Sequence, residues 1–258
     1  MQMIEYLSPN YNARPDGDEV SMLIMHTTCM VDTRLALDRL CDPDSKVSAH
    51  YVIDEEGQVY RLVDERKRAW HAGVAFWDGE TDVNGYSIGI EVAHPGPDEN
   101  GVEPEFPSNQ WQSLIKLSQD ILSRHSIPAH RVLAHSDVAP TRKTDPGSLF
   151  DWQGLAAEGV GLWSDYGAAD LVTLSPHQLF ELQPIQISGD ALEQRQAVFK
   201  LQQALKAFGY HITPDGDYGA ATQTVMRAFQ LHFRSERVDG IADAECCARL
   251  LDLISRKQ

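Results

Sequence analysis

At 258 residues the chain is longer than one average domain, and two domains are expected. Its 42% hydrophobic and 23% charged residues are globular values, so a packed core follows. A formal net charge of −16 repels polyphosphate and argues against nucleic acid as a partner. No apolar run approaches the roughly 20 residues of a membrane-spanning helix.

The acidity is uneven. From Ile185 to Gln258 nine basic residues balance nine acidic ones, so the whole excess lies earlier in the chain. The first residues, Met1 to Asp16, have neither the basic nor the apolar region of a secretory signal. A removed leader, a cytosolic location and a specialised export route all stay open at this point. Four cysteines are too few to staple a chain of this length. Cys246 and Cys247 are neighbours, which rarely pair with each other, and Cys29 and Cys41 read as buried free thiols.

Along the chain, Val20 to Met25 is a strand-like run that leads into His26, and Thr33 to Leu40 reads as an amphipathic helix with Leu35, Leu37 and Leu40 among charges. Ala49–Ile53 and Val59–Leu62 flank a polar, glycine-containing turn, which is a hairpin signature. Ser87 to Val92 is a further strand, Trp111 to Leu122 a helix, Arg131 to Ala134 a short strand, and Pro140 to Pro146 a loop. This mixture predicts α/β layers: a central mixed β-sheet flanked by helices, over residues 1–160. Residues 161–189 are broken by glycine, serine and proline and read as a connector. Residues 190–258 change to helix only, with stripes at Val198, Leu201, Leu205 and Phe208, at Val225 and Phe229, and at Leu250, Leu251 and Ile254. Two Asp-Gly turns join these helices, so a small all-α three-helix domain is expected.

Of ten histidines, His94, His125, His130, His177, His211 and His232 have no partner at ligand spacing. His26 and His135 differ, because each ends an apolar strand-like run, where a rigid sheet can fix a side chain's geometry. Asp145 follows in a loop stiffened by Pro140 and Pro146. Two imidazoles and a carboxylate form a three-ligand zinc site with a place left for water, although spacing alone is a weak signal and Cys29 is a rival ligand. Glu91, at the end of a strand, reads either as a partly desolvated general base or as a surface carboxylate. Lys143 reads either as a solvated loop lysine or as a cation that stabilises an oxyanion.

The segment Arg131-Val-Leu-Ala-His135-Ser-Asp-Val-Ala-Pro-Thr-Arg-Lys143-Thr-Asp145-Pro-Gly resembles the zinc-site segment of N-acetylmuramoyl-L-alanine amidases of the AmpD/AmiD type, which share a fold with peptidoglycan recognition proteins. Ile24-Met-His26-Thr-Thr28, Val47-Ser-Ala-His50-Tyr51, Trp70-His71-Ala-Gly73 and Tyr86-Ser-Ile-Gly-Ile-Glu91 agree with that family in order. The resemblance implies that His26, His135 and Asp145 bind one Zn2+, that Glu91 is the acid/base carboxylate, and that Lys143 assists the oxyanion. It implies hydrolysis of the amide between N-acetylmuramic acid and L-alanine, with stem peptides released. His50, Tyr51, Trp70 and His71 match motifs near the groove, where contact with substrate, support of the site and plain packing are alternatives. Arg142 is a candidate for the stem-peptide carboxylate.

The C-terminal stretch resembles a three-helix peptidoglycan-binding domain through Leu201-Gln-Gln-Ala-Leu205, Asp215-Gly-Asp-Tyr-Gly219 and Val238-Asp-Gly-Ile-Ala-Asp243. It departs from its relatives at Cys246-Cys247. A polymer-binding module implies peptidoglycan and muropeptides as partners and a periplasmic or cell-envelope location, reached with a leader removed or by a specialised route. A homo-oligomer stays open. A recognition protein that keeps the groove without chemistry, and a peptidase cutting within the stem peptide, are the rival readings.

Overall fold

The computed structural model describes residues 2–15, 19–170, 182 and 191–257. The strands are β1 (Met3–Glu5), β2 (Tyr11–Ala13), β3 (Met22–Thr27), β4 (Tyr51–Ile53), β5 (Val59–Arg61), β6 (Lys67–Ala69), β7 (Ser87–Val92) and β8 (Val132–Ala134). The helices are α1 (Thr33–Cys41), α2 (Val83–Tyr86), α3 (Ser108–Arg124), α4 (His135–Val138), α5 (Trp152–Ala157), α6 (Ala191–Phe208), α7 (Ala220–Phe233) and α8 (Ala244–Arg256). None of these helices is long and apolar enough to cross a membrane.

Six strands form one sheet in the order β1-β5-β4-β7-β3-β8, while β2 and β6 pair separately as an antiparallel ribbon. Only the β4–β5 hairpin is antiparallel within the large sheet; the other pairs run parallel. A mixed α/β sheet with flanking helices, followed by an all-helical unit, is therefore the fold, as expected. The inner strand β3, between β7 and β8, is buried at every residue, because parallel strands carry layers on both faces. Its odd residues, Leu23 and Met25, join the core under α3 and α5, with Leu114, Leu117, Ile121 and Leu155. Its even residues, Met22 and Ile24, join a second core that continues into the C-terminal helices through Leu205, Phe208, Phe229 and Phe233.

Local sequence explains the element ends. Asp32 caps α1 by accepting from the Arg34 amide at 2.6 Å, and Asp243 caps α8 through the Cys246 amide at 3.0 Å. In the helical unit two glutamines perform the same task. Gln202 accepts from the Asp215 and Gly216 amides, and Gln230 accepts from the Gly240 amide, so each Asp-Gly turn is pinned to a neighbouring helix. The apolar stripes of α6, α7 and α8 form core, as their spacing predicts. On α1, Leu37 and Leu40 are buried, but Leu35 is 50% exposed because it falls outside the stripe that meets β4. Cys29 is likewise exposed rather than buried, at a left-handed backbone position on the loop after β3. Of the expected connector, residues 171–181 and 183–189 lie outside the described residues.

The helical unit is seated directly on the sheet domain. Trp77 packs edge-on against Phe208 and Tyr210, and Gly209 lies so close that a Cβ there would meet Trp77 Cε2 at 2.5 Å. Next to this contact a fully buried carboxylate, Asp137 of α4, accepts from the Ala134 amide at 2.8 Å. Asp137 also accepts from the Tyr210 hydroxyl at 2.6 Å and from His232 Nδ1 at 2.7 Å. His232 has no ligand-spaced neighbour in sequence, yet here it is buried, stacked on Trp152 and bonded across the interface. A buried carboxylate left short of a donor costs the full desolvation penalty of that group. The Tyr210→Phe substitution is thus expected to lower stability by about 1.5–3 kcal/mol, the range for hydrogen bonds to charged groups, measured by urea unfolding of the full chain.

Candidate active site

Three neighbouring strands bring the chemistry into one row. In the parallel β3–β7 ladder His26 is in register with Glu91. On the other side of β3, Met25 is in register with Ala134, the last residue of β8, so His135 begins α4 one step further along. Side chains on adjacent strands stand about 4.8 Å apart on a common face. Glu91, His26 and His135 are consequently neighbours on the sheet face that carries Met22 and Ile24. The loop after α4 then returns Asp145 over the two imidazoles, and its carbonyl accepts from the Ser136 amide at 3.0 Å.

His26 Nδ1 lies 2.9 Å from His135 Nδ1 and 3.5 Å from Asp145 Oδ2, and His135 Nδ1 lies 3.0 Å from the same oxygen. One ligand atom from each residue falls within 4.8 Å of the others, the separation that three ligands of one ion require. Around a tetrahedral zinc-sized ion with bonds of about 2.0–2.1 Å, ligand atoms stand about 3.3 Å apart. Two imidazoles and one carboxylate at these spacings fit such an ion and leave a fourth direction open to the cleft. That cleft has a volume of about 170 Å³, and Trp70, Glu91, His135, Lys143 and Asp145 line it. Arg39 and Met30 also line it. Neither carries a signal in the sequence, since a charged helix residue and a loop methionine both read as surface.

Burial sets the protonation states. It pushes His26 down to about 4, with the adjacent His135 adding to the shift, so the ring is neutral and able to ligate. Burial opposes ionisation of Asp145, but hydrogen bonds with His135 and His26 outweigh it and hold the carboxyl well below its usual range. Glu91 is pushed up to about 8 by burial, with Asp145 adding to the shift and Lys143 opposing it. Its Oε2 is buried without a hydrogen-bond partner. Glu91 can therefore exist as a neutral acid near neutral pH and as a base just above it, the range useful for proton transfer.

The remaining expected contacts separate. Trp70 lines the cleft, with its indole donating to Asn12 Oδ1 at 2.9 Å. Arg142 spends its guanidinium on the backbone carbonyls of Ala72 and Val74. His71 is buried against His26, at 2.9 Å from its Nε2. His50 and Tyr51 are corrected: neither lines the cleft. His50 is fully buried, accepting from the Gly89 amide at 3.0 Å. Tyr51 sits on the opposite face of the sheet, with Leu23, Met25 and Ile90, and its hydroxyl donates to Glu65 at 2.7 Å. The strand period turns Tyr51, paired with Ile90, to the face opposite Glu91, whereas His50 shares the Glu91 face but is buried beside His71 and Arg14.

The raised Glu91 value makes a stability prediction for metal-free protein. A carboxyl at 4.5 in the unfolded chain and about 8 in the fold contributes stability below pH 4.5, and that contribution is lost as the pH rises to about 8. Glu91→Gln is expected to raise the thermal midpoint of the metal-free chain at pH 8 and to leave it nearly unchanged at pH 4, read by calorimetry.

The chain matches known proteins over most of its length. The profile of the N-acetylmuramoyl-L-alanine amidase family matches residues 16–148, and that of the peptidoglycan binding domain matches residues 194–250. The N-acetylmuramoyl-L-alanine amidase AmiD of Escherichia coli K12 is 35% identical over 238 residues, which cover 88% of this chain and 79% of that protein. The 1,6-anhydro-N-acetylmuramyl-L-alanine amidase AmpD of Enterobacter cloacae is 33% identical over 162 residues, 56% of this chain and 83% of AmpD. Among solved structures, E. coli AmiD in complex with anhydro-N-acetylmuramic acid-L-Ala-D-gamma-Glu-L-Lys superposes with a TM-score of 0.76 at 34% identity, covering 94% of this chain and 90% of that one. AmpDh3 from Pseudomonas aeruginosa, in complex with anhydromuramic pentapeptide, gives 0.73 at 31% identity, covering 90% and 89%. Fold, domain order and sequence likeness together establish that the chain belongs to the N-acetylmuramoyl-L-alanine amidase family, of the AmpD/AmiD type with a peptidoglycan-binding domain.

Proposed function

We propose that this amidase releases stem peptides from peptidoglycan and its fragments with His26, His135 and Asp145 holding one Zn2+, Glu91 moving the proton and Lys143 supporting the oxyanion. The observation that carries the reading is the row of Glu91, His26 and His135 on one sheet face, closed by Asp145 within 4.8 Å of both ligand nitrogens. When bound, zinc would polarise the scissile carbonyl and acidify a water. Glu91, partly desolvated and without a hydrogen-bond partner on Oε2, takes a proton from the attacking water and returns it to the departing L-alanine amine. Lys143, on the same cleft wall, offers a positive charge where the carbonyl oxygen becomes negative. Trp70 supplies an apolar wall suited to a sugar or peptide face.

Both solved relatives are in complex with anhydromuramyl peptides, so such fragments are the first to try here. The helical unit, 190–258, is proposed to hold the enzyme on the wall polymer, which raises local substrate concentration without new catalytic contacts. A periplasmic or cell-envelope location follows from that role.

The test is mass spectrometry of products from purified sacculi and from an anhydromuramyl tripeptide. The wild-type chain is expected to release peptides beginning at L-alanine, to lose this on chelation and to regain it with zinc. Glu91→Ala is expected to lower kcat by about 10²–10⁴-fold, the span of general acid–base catalysis, while still retaining zinc. Sacculus binding without any peptide release, under every metal condition, would establish a recognition protein instead.

A further inference from the structure

The histidine His71 is buried in the wall of the cleft and stands between two groups whose chemistry is fixed. On one side His71 Nδ1 is 2.9 Å from His26 Nε2, the ring nitrogen that faces away from His135 and Asp145. On the other, His71 Nε2 is 3.0 Å from Ser87 Oγ, and Ser87 Oγ is 2.6 Å from the Val83 carbonyl at the start of α2.

We propose that His71 is a positioning residue for the metal site, which holds His26 in the tautomer with its proton on Nε2 and its Nδ1 lone pair turned to the metal. The direction of the chain follows from its anchored end. A carbonyl oxygen can only accept, so the Ser87 hydroxyl donates to Val83. The Ser87 oxygen then accepts, and the proton must come from His71 Nε2. In the neutral ring His71 Nδ1 is left as an acceptor, so the proton between the two histidines belongs to His26 Nε2. His26 Nδ1 is thereby a bare lone pair, 3.5 Å from Asp145 Oδ2 and 2.9 Å from His135 Nδ1.

The same short segment serves the second imidazole. The carbonyl of Ala72, the residue after His71, accepts from His135 Nε2 at 3.2 Å and so leaves His135 Nδ1 for the metal. Asn84 Oδ1 fixes this segment by accepting from the His71 and Ala72 amides at 3.0 and 2.8 Å. Space for the His71 ring comes from Gly89 of β7, where a Cβ would stand 2.5 Å from His71 Cγ. One tetrapeptide, Trp70 to Gly73, thus orients both imidazoles, one through a side chain and one through a carbonyl. Outer partners of this kind commonly govern metal affinity.

The inference rests on His26 being a metal ligand, and two measurements separate its failure from the failure of that reading. Isotope-labelled histidine NMR of the metal-free, full-length wild-type chain reads tautomers directly. The expected result is a proton on Nε2 of both His71 and His26, with a nitrogen–nitrogen coupling across their shared hydrogen bond. A proton on His71 Nδ1 would overturn the inference whatever the metal does. Zinc affinity by chelator competition is the second readout. His71→Leu removes the acceptor and is expected to bind zinc about 10–100-fold more weakly, while His71→Asn, whose Oδ1 can stand near the Nδ1 position, recovers most of that loss. Wild-type affinity in a folded His71→Leu chain, or equal loss in both variants, would reduce His71 to packing. If His71→Leu does not fold, the NMR result on the wild-type chain still decides. A wild-type chain that binds no zinc yet shows the expected tautomers would defeat the metal reading and leave the proton order intact.

Discussion

The parallel register of β3 between β7 and β8 is the constraint on which the rest depends. Sheet side chains alternate with a period of two, so a one-residue slip of β3 would send His26 into the core beneath α3 and bring Met25 to the cleft. The register is held by apolar residues on both faces: Leu23 and Met25 on one side, Met22 and Ile24 on the other. Burying this strand on two sides therefore fixes where His26 stands against Glu91 and His135. The metal-site geometry is an outcome of core packing some residues away.

The second face of the sheet is covered by the helical unit together with the Ala72–Val83 segment. A wall-binding module need only be tethered to raise local concentration. Here it shares a core with the catalytic domain and supplies two of the three donors to Asp137. Asp137 lies in the same four-residue helix as His135, two positions on. The helical unit and the cleft are accordingly fixed relative to each other.

Electrostatically the site separates its roles by solvation. Burial keeps His26 neutral and raises Glu91, whereas hydrogen bonding keeps Asp145 ionised. A neutral imidazole at His26, one charge and one protonatable carboxyl result from residues that would all behave ordinarily in water.

Much of this was legible in the sequence. The apolar runs ending in His26 and Glu91, the hairpin around Gly57 and the helical stripes after Ala191 follow from local periodicity, which one stretch of chain carries by itself. The motifs that resemble the amidase family pointed to a site, because chemistry needs particular side chains in order along the chain. Other features were decided only by tertiary structure. That Tyr51 faces away from the cleft and that His50 is buried beside His71 and Arg14 depend on how β4 pairs with β7, which local pattern does not encode. That His232 meets Asp137 spans 95 residues, and that His71 meets His26 and Ser87 requires Gly89 to leave room. Sequence determined which groups this protein possesses and the elements that carry them. Packing determined which of them touch, because hydrogen bonds in a buried site depend on ångström distances that only the whole core sets.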